Sequence, residues 1–317
     1  MSVVLLGSTS GSVTLQEPAV AGSTTINLPA TSGTMAVLPT ATSVLPEASG
    51  GTGTTTGYYG FKNRIINGGM VIDQRNAGAS VTPAQGVYVL DRWRTETSGG
   101  GIYTVQRSAT APAGFTNSMV VTVTTADSSI AAGDFYDVEQ FIEGFNIADL
   151  GWGTANAQTV TLSFWVRSSV TGTFAGALIN SDSNRSYVFT YTINSANTFE
   201  QKTITIAGDT SGTWLTTTGR GIGVFFDLGN GSSSQATAGS WSATYAVGTS
   251  TSVKLISTLN ATWYITGVQL EKAQQQRALT TGRMVLSFSF ANGITGKHQV
   301  LQTQSQVCMV MHFLEPT

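Results

Sequence analysis

The residues able to do chemistry are few and unevenly placed. Carboxylates occur in two close pairs, Asp134 with Asp137 and Glu139 with Glu143. Paired acids can hydrolyse a glycosidic bond or hold a calcium ion, and which applies depends on a separation that sequence spacing does not set. Other chemistries are excluded over most of the chain. Both histidines, His298 and His312, and the single cysteine, Cys308, follow residue 272. A Ser-His-Asp triad, a Cys-His pair and a His or Cys zinc site are therefore impossible in residues 1–272. Gly99-Gly100-Gly101 precedes no phosphate-binding pattern, and the stretch from Gly219 to Gly223 lacks the lysine of a P-loop. With so few acids and no further catalytic signature, the chain is not expected to be an enzyme, and neither a cofactor nor a metal is expected.

Aromatic rings among small polar residues are the remaining candidates. A sugar-binding face needs exposed rings with amide or carboxylate groups beside them. Trp152, Tyr187, Tyr191, Trp214 and Trp241 are the candidate ligand-binding residues, with Asn180, Asp182, Asn184 and Arg185 in a nearby loop. Trp214 and Trp241 are preferred because Gly, Ser and Thr surround them. A structural reading competes for each: large aromatics usually serve the core, and Asn and Asp suit turns.

The elements that must carry these residues are strands. Residues 61–272 alternate β-branched or aromatic residues with polar ones at 119–124, 159–167, 188–193, 201–206, 221–228 and 263–270. Turns rich in Gly, Asn, Asp and Ser separate them. Many short alternating strands without long helices indicate an all-β fold, an antiparallel jelly-roll-like sandwich. In the second run Leu162, Phe164 and Val166 face one way, and Thr161, Ser163, Trp165 and Arg167 the other. The stretch from Phe141 to Leu150 is read as strand and loop because Gly144 interrupts any helix.

Residues 1–60 differ. They are Gly, Ser, Thr, Ala and Pro with thin apolar alternations at Val13-Thr14-Leu15 and Thr25-Ile26-Asn27-Leu28. A weak internal repeat relates 9–15 to 31–38. Such strands bury almost nothing within one chain, so an extended β/coil shaft with identical chains as neighbours is expected. Residues 49–57 read as a flexible linker. A disordered tail is the competing reading.

Composition narrows the partners. Of 317 residues only 10% are charged and the net charge is -2. Phosphate neutralisation needs clustered Lys and Arg, and none occurs, so nucleic acid is not an expected partner. No apolar run approaches the roughly 20 residues that span a bilayer, so no membrane insertion is expected. The start lacks the basic region of a signal peptide, and one cysteine forbids an internal disulfide. Both fit synthesis in a reducing cytoplasm.

An ordered set of motifs carries a resemblance. It runs Ser49-Gly50-Gly51-Thr52-Gly53-Thr54-Thr55-Thr56-Gly57-Tyr58-Tyr59-Gly60, then Lys62-Asn63-Arg64-Ile65-Ile66-Asn67-Gly68-Gly69-Met70-Val71-Ile72-Asp73-Gln74-Arg75-Asn76 and Tyr88-Val89-Leu90-Asp91-Arg92-Trp93. Leu162-Ser163-Phe164-Trp165-Val166-Arg167-Ser168-Ser169 and Ile265-Thr266-Gly267-Val268-Gln269-Leu270-Glu271-Lys272 complete it. In these stretches the chain resembles the tail fibres and tail appendages of tailed bacteriophages. The resemblance implies a domain like the jelly roll of carbohydrate-binding modules, and a receptor-binding homotrimer in the virion, made in the host cytoplasm. It implies other virion proteins as partners through residues 1–60 and host surface glycan as the ligand. A polysaccharide depolymerase tailspike and a free carbohydrate-binding module are the alternatives. Asn63, Asn67, Gly68 and Gly69 suit turns at the entry to the domain, and Asp91, Arg92 and Trp93 suit a buried indole beside an ion pair.

The resemblance stops at Ala273. Related fibres usually continue with S-F-D-Y-R-P-Y and later C-Q-R-Y-Y. Residues 277–284 can be coded CGA GCT TTG ACT ACC GGC CGT ATG, and the same letters regrouped one nucleotide earlier read S-F-D-Y-R-P-Y. Residues 289–295, coded TCT TTT GCC AAC GGT ATT ACC, regroup to F-C-Q-R-Y-Y. The expected organisation is therefore 1–60 attachment and trimerisation, 61–272 sandwich, and 273–317 a frameshifted tail. A genuine lineage-specific tail is the alternative, and on either reading His298, Cys308 and His312 match no metal spacing.

Overall fold

In the computed structural model the described residues are 3–6, 12–15 and 63–272. The chain divides into two units between Lys62 and Asn63. In the first, β1 (Val3–Leu6) and β2 (Ser12–Leu15) pair antiparallel, Val3 opposite Leu15 and Leu6 opposite Ser12. The strand expected at 25–28, the linker at 49–57 and the tail from 273 onward lie outside the described residues.

The second unit is an antiparallel β-sandwich. Its strands are β3 (Val87–Leu90), β4 (Trp93–Thr97), β5 (Ile102–Ser108), β6 (Ser118–Thr125), β7 (Tyr136–Glu143) and β8 (Val160–Ser168). They continue as β9 (Gly172–Asn180), β10 (Ser186–Ile193), β11 (Glu200–Ile206), β12 (Arg220–Asp227), β13 (Trp241–Ser242) and β14 (Thr262–Glu271). One sheet has seven strands in the order β13-β10-β9-β12-β7-β4-β3, the other five in the order β11-β8-β14-β6-β5.

Alternation decides which side chains fill the space between the sheets. In β8, Leu162, Phe164 and Val166 are fully buried there, whereas Trp165 and Arg167 are half-buried on the outer face. Phe226 of β12 is central. Its ring lies 5.1 Å from Phe164, 5.6 Å from Trp263, 6.1 Å from Phe189 and 6.4 Å from Trp93, centroid to centroid. Tilted and edge-on contacts of this kind suit the ring quadrupoles, and each fully buried ring contributes about 1.5–3 kcal/mol.

The entry to the domain is held by polar backbone contacts. Asn67 adopts φ 57°, and its side chain donates to the carbonyls of Ile72 and Asp91. The indole of Trp93, fully buried, donates to the Asn67 carbonyl at 3.1 Å. Gly68 lies so close to Val268 that a Cβ would collide with its carbonyl oxygen. The ion pair beside Trp93 is not Asp91 with Arg92. Arg92 reaches Glu143 at 2.6 Å, and Asp91 accepts from the Gln74 amide. The stretch after Phe141 is strand to Glu143 and then two 3-10 turns, Gly144–Asn146 and Ala148–Leu150, so it is more helical than loop.

Candidate functional site

The seven-stranded sheet ends at β13 and the five-stranded sheet at β11, and an aromatic cluster closes the gap on that side. Tyr187 of β10 is the cross-strand partner of Trp241 of β13, with ring centroids 5.3 Å apart. Trp152, from the loop before β8, and Trp214, from the loop before β12, complete it. Trp152 lies 4.7 Å from Trp214 and 5.3 Å from Trp241, and Trp214 lies 5.3 Å from Trp241, all edge-on. Each indole N–H is committed: Trp152 donates to the Gln158 carbonyl, Trp241 to the Ala207 carbonyl just after β11, and Trp214 to Asp209 and the Ser211 carbonyl. Trp152 and Trp214 are buried, while Trp241 and Tyr187 are half-buried.

Charge beneath the cluster is balanced. Arg185 forms a two-point pair with Asp209, at 2.7 and 2.6 Å, and Asp209 is buried. This pairing holds the guanidinium protonated above its ordinary range. Asn180, expected in a loop, is the last residue of β9; it is buried and accepts from the Asn184 and Arg185 amides, a turn-building role. Asp182 and Asn184 are exposed beside it.

Tyr191 is the exception among the five aromatic candidates. It stacks on Phe174 at 5.7 Å, meets Phe164 at 5.1 Å, and its hydroxyl accepts from Trp263, all within the core. Burial pushes its phenol well up. It lies on the same strand face as Tyr187 but under the partner sheet, so a surface ligand does not reach it.

A second constellation occupies the outer face of the seven-stranded sheet. The run from Asp137 to Glu143 alternates with period two, so Asp137, Glu139, Phe141 and Glu143 share that face. Arg94 of β4 pairs with both Glu96 and Glu139 and lies 4.8 Å from the Phe141 centroid. Arg220 lies 4.8 Å from the same ring and donates to the carbonyls of Asn180 and Ser181. Burial raises Glu139 to about 7 against the pull of Arg94 and Arg220. Burial, with Glu139 and Asp227 adding to it, holds Asp137 well above the usual carboxylate range. Buried Ala175, Ala177, Ile179, Val188 and Phe225 continue this face, covered by Ala246 and Val247.

The acid pairs named from sequence are thus separated in role. Glu139 belongs to Arg94 and Glu143 to Arg92, while Asp134 caps the Ala131 amide in a loop. The alternation of Asp137, Glu139, Phe141 and Glu143 was a readable signal for this face. Its arginine partners were not, because they come from other strands. Among the described residues no group of three or more His, Cys, Asp or Glu could hold a metal ion, and no helix is long and apolar enough to cross a membrane.

No family model matches the chain, and no curated protein does. Solved structures similar to it include the enzymatically active domain of tailspike protein 4 of bacteriophage CBA120, at 15% identity and TM-score 0.37 over 66% of this chain and 21% of that one. The chain therefore spans about a fifth of that tailspike domain. The family 11 carbohydrate-binding module of Clostridium thermocellum, in complex with a mixed-linked tetrasaccharide, is similar at 11% identity and TM-score 0.32, covering 63% of this chain and 99% of that one. A tandem of two family 22 modules from Paenibacillus barcinonensis Xyn10C is similar at 15% identity and TM-score 0.33, covering 64% and 51%.

Proposed function

We propose that the chain is a homotrimeric fibre or receptor-binding protein on the outside of a bacteriophage, and that its sandwich holds a host surface glycan without cleaving it. Residues 1–60 join it to other virion proteins. The observation that carries the glycan reading is the half-buried pair of Trp241 and Tyr187, braced by Trp152 and Trp214. Rings fixed in this way lose little rotamer entropy when a sugar stacks on them. Exposed Asp182 and Asn184, in the loop leading to Tyr187, supply hydrogen-bonding groups. The phage setting rests on the ordered motifs between Ser49 and Lys272. Absence of cleavage rests on Glu139 and Glu143 each being held by an arginine, on Asp134 being engaged by the Ala131 amide, and on Asp137 being fully buried.

The test is binding of purified protein to polysaccharide extracted from a susceptible host. Trp241→Ala should weaken it about tenfold or more, as loss of one stacking ring does. A trimer in solution with no release of reducing ends is expected. Released reducing ends would favour a depolymerase spike, and a monomer would favour a free binding module.

A further inference from the structure

The outer face of the five-stranded sheet carries a set of side chains that the aromatic cluster does not use. Trp165 and Arg167 project from β8, and their cross-strand partners on β14 are Thr266 and Tyr264. The Arg167 guanidinium lies 4.8 Å from the Tyr264 centroid and 5.8 Å from that of Phe199. Trp165, Arg167, Phe199 and Tyr264 are all half-buried. β14 bulges between Thr266 and Gln269, and Gly267 there has φ 63°. A Cβ on Gly267 would stand 2.6 Å from the Phe115 ring and 3.2 Å from Trp165 Cδ1. Bare backbone at the bulge therefore lets both rings settle against it. The result is a shelf that passes from Phe115 and Trp165 to Arg167, Tyr264 and Phe199.

Packing leaves two features of this shelf unexplained. Arg167 forms no ion pair among the described residues, and its Nε is buried without a hydrogen-bond partner. Arg64, Arg92, Arg94 and Arg185, by contrast, each meet a carboxylate. Thr266 is 0% exposed, and its Oγ1 also has no partner. Stacking occupies the faces of a guanidinium and leaves its N–H edge free, a planar fork that matches a carboxylate at two points. A Trp two residues away on the same strand face offers a ring for the sugar that bears or neighbours that acid.

We propose that this shelf binds an acidic oligosaccharide. Arg167 pairs with the carboxylate of a uronate residue, Trp165 stacks on the sugar face, and Thr266 marks the polar floor between them. The inference rests on the glycan-binding reading above and adds to it the charge class of the glycan and a second site.

The full chain should be titrated with tetragalacturonate and with its uncharged counterpart galactotetraose, followed by calorimetry and tryptophan emission, in low and high salt. Tetragalacturonate should bind, less tightly in high salt, and more tightly than galactotetraose. Arg167→Met should weaken tetragalacturonate by at least about tenfold, the effect of one charged hydrogen-bonded contact. Arg167→Lys keeps charge and stem but lacks the fork, and should be several-fold weaker, which covers the case in which Arg167→Met fails to fold. The proposal is overturned if wild-type protein does not bind tetragalacturonate, or if a folded Arg167 variant binds it like wild type. Host polysaccharide in the same titration separates the two readings. If it binds while tetragalacturonate does not, only the acidic site falls; if neither binds, the glycan-binding reading falls with it.

Discussion

Asp137 and Asp227 stand opposite each other on β7 and β12, and hydrogen-bond donors converge on only one of them. Asp227 receives the amides of Gly229 and Asn230, the Asn230 side chain, the Ser252 hydroxyl and the Lys254 ammonium. Neither oxygen of Asp137 has a partner, and Asp137 is 0% exposed. The Asn230 amide nitrogen is already committed to Asp227 and the Tyr136 carbonyl, while its Oδ1 has no partner. Burial, with Glu139 and Asp227 adding to it, raises Asp137 well above the usual carboxylate range, against the opposing pull of Arg94 and the Asn230 side chain.

A pH dependence follows. Asp137 binds its proton more tightly in the folded chain, so its share of stability is complete below the ordinary value of 3.8 and is lost as pH rises through the folded one. Glu139 acts the same way between 4.5 and about 7. Glu200 opposes them on the acid side. Burial disfavours its charge, but Lys202 and the amides of Ser195 and Asn194 prevail and lower it to about 2, so its share is lost as pH falls from 4.5 through that value. Melting temperature should therefore peak in mild acid and decline toward neutrality. Scans across pH check this, and a flat profile between about pH 5 and 8 would refute it.

Asp137→Asn keeps the shape of the side chain and carries no charge at any pH, so it removes the burial of a carboxylate flanked by Glu139 and Asp227. It should stabilise the sandwich at neutral pH by about 1–3 kcal/mol, the cost of a buried unsatisfied group. The decline between mild acid and neutrality should also become shallower. Denaturant unfolding of variant and wild type at two pH values measures both.

Asp227→Ala should act in the opposite direction. It removes the carboxylate partner of the Lys254 ammonium and an acceptor of four further donors, leaving the Gly229 and Asn230 amides unpaired, a loss of about 3–5 kcal/mol by analogy with breaking one side of a buried ion pair. Hydrogen exchange should rise first in residues 229–254, whose amides and hydroxyls this carboxylate gathers.

Asp209→Ala removes the partner of Arg185 and an acceptor of the Trp214 indole. Arg185 is only 16% exposed, so its charge is left largely buried, and a loss of about 3 kcal/mol is expected. Emission of the tryptophan cluster should shift red as water enters. An unchanged spectrum with lowered stability would separate the ion pair from the rings.

Gly68→Ala should destabilise the domain although the φ of Gly68 is unremarkable. The added methyl meets the Val268 carbonyl oxygen, and backbone on both sides prevents retreat. A loss of about 1–3 kcal/mol, read from the unfolding midpoint, is typical of overpacking at such a contact.

Strand alternation is a local property, and that explains what the residues alone disclosed. The runs at 119–124, 188–193, 201–206 and 263–270 fall within β6, β10, β11 and β14, and those at 159–167 and 221–228 overrun β8 and β12 by one residue each. The division of β8 into Leu162, Phe164 and Val166 inward and Trp165 and Arg167 outward follows from its period of two. β9, by contrast, reads Gly-Thr-Phe-Ala-Gly-Ala-Leu-Ile-Asn, too rich in small residues to announce a strand, yet it is buried on both faces in the interior of the seven-stranded sheet, between β10 and β12.

The candidate site divides along the same line. That Trp214 and Trp241 are aromatics among Gly, Ser and Thr is visible in the sequence, and Trp152 and Tyr187 are candidates beside them. Their convergence is not visible there, since they come from four segments that only sheet pairing and loop closure bring together. Tyr187 and Tyr191 make the point within one strand. Four residues apart, they occupy the same face of β10, so alternation treats them alike. One reaches the rim where β13 and β11 end the two sheets, and the other lies beneath Phe164 and Trp263. Which face a residue takes is set by the chain next to it, whereas what that face meets is set by strands far away in sequence.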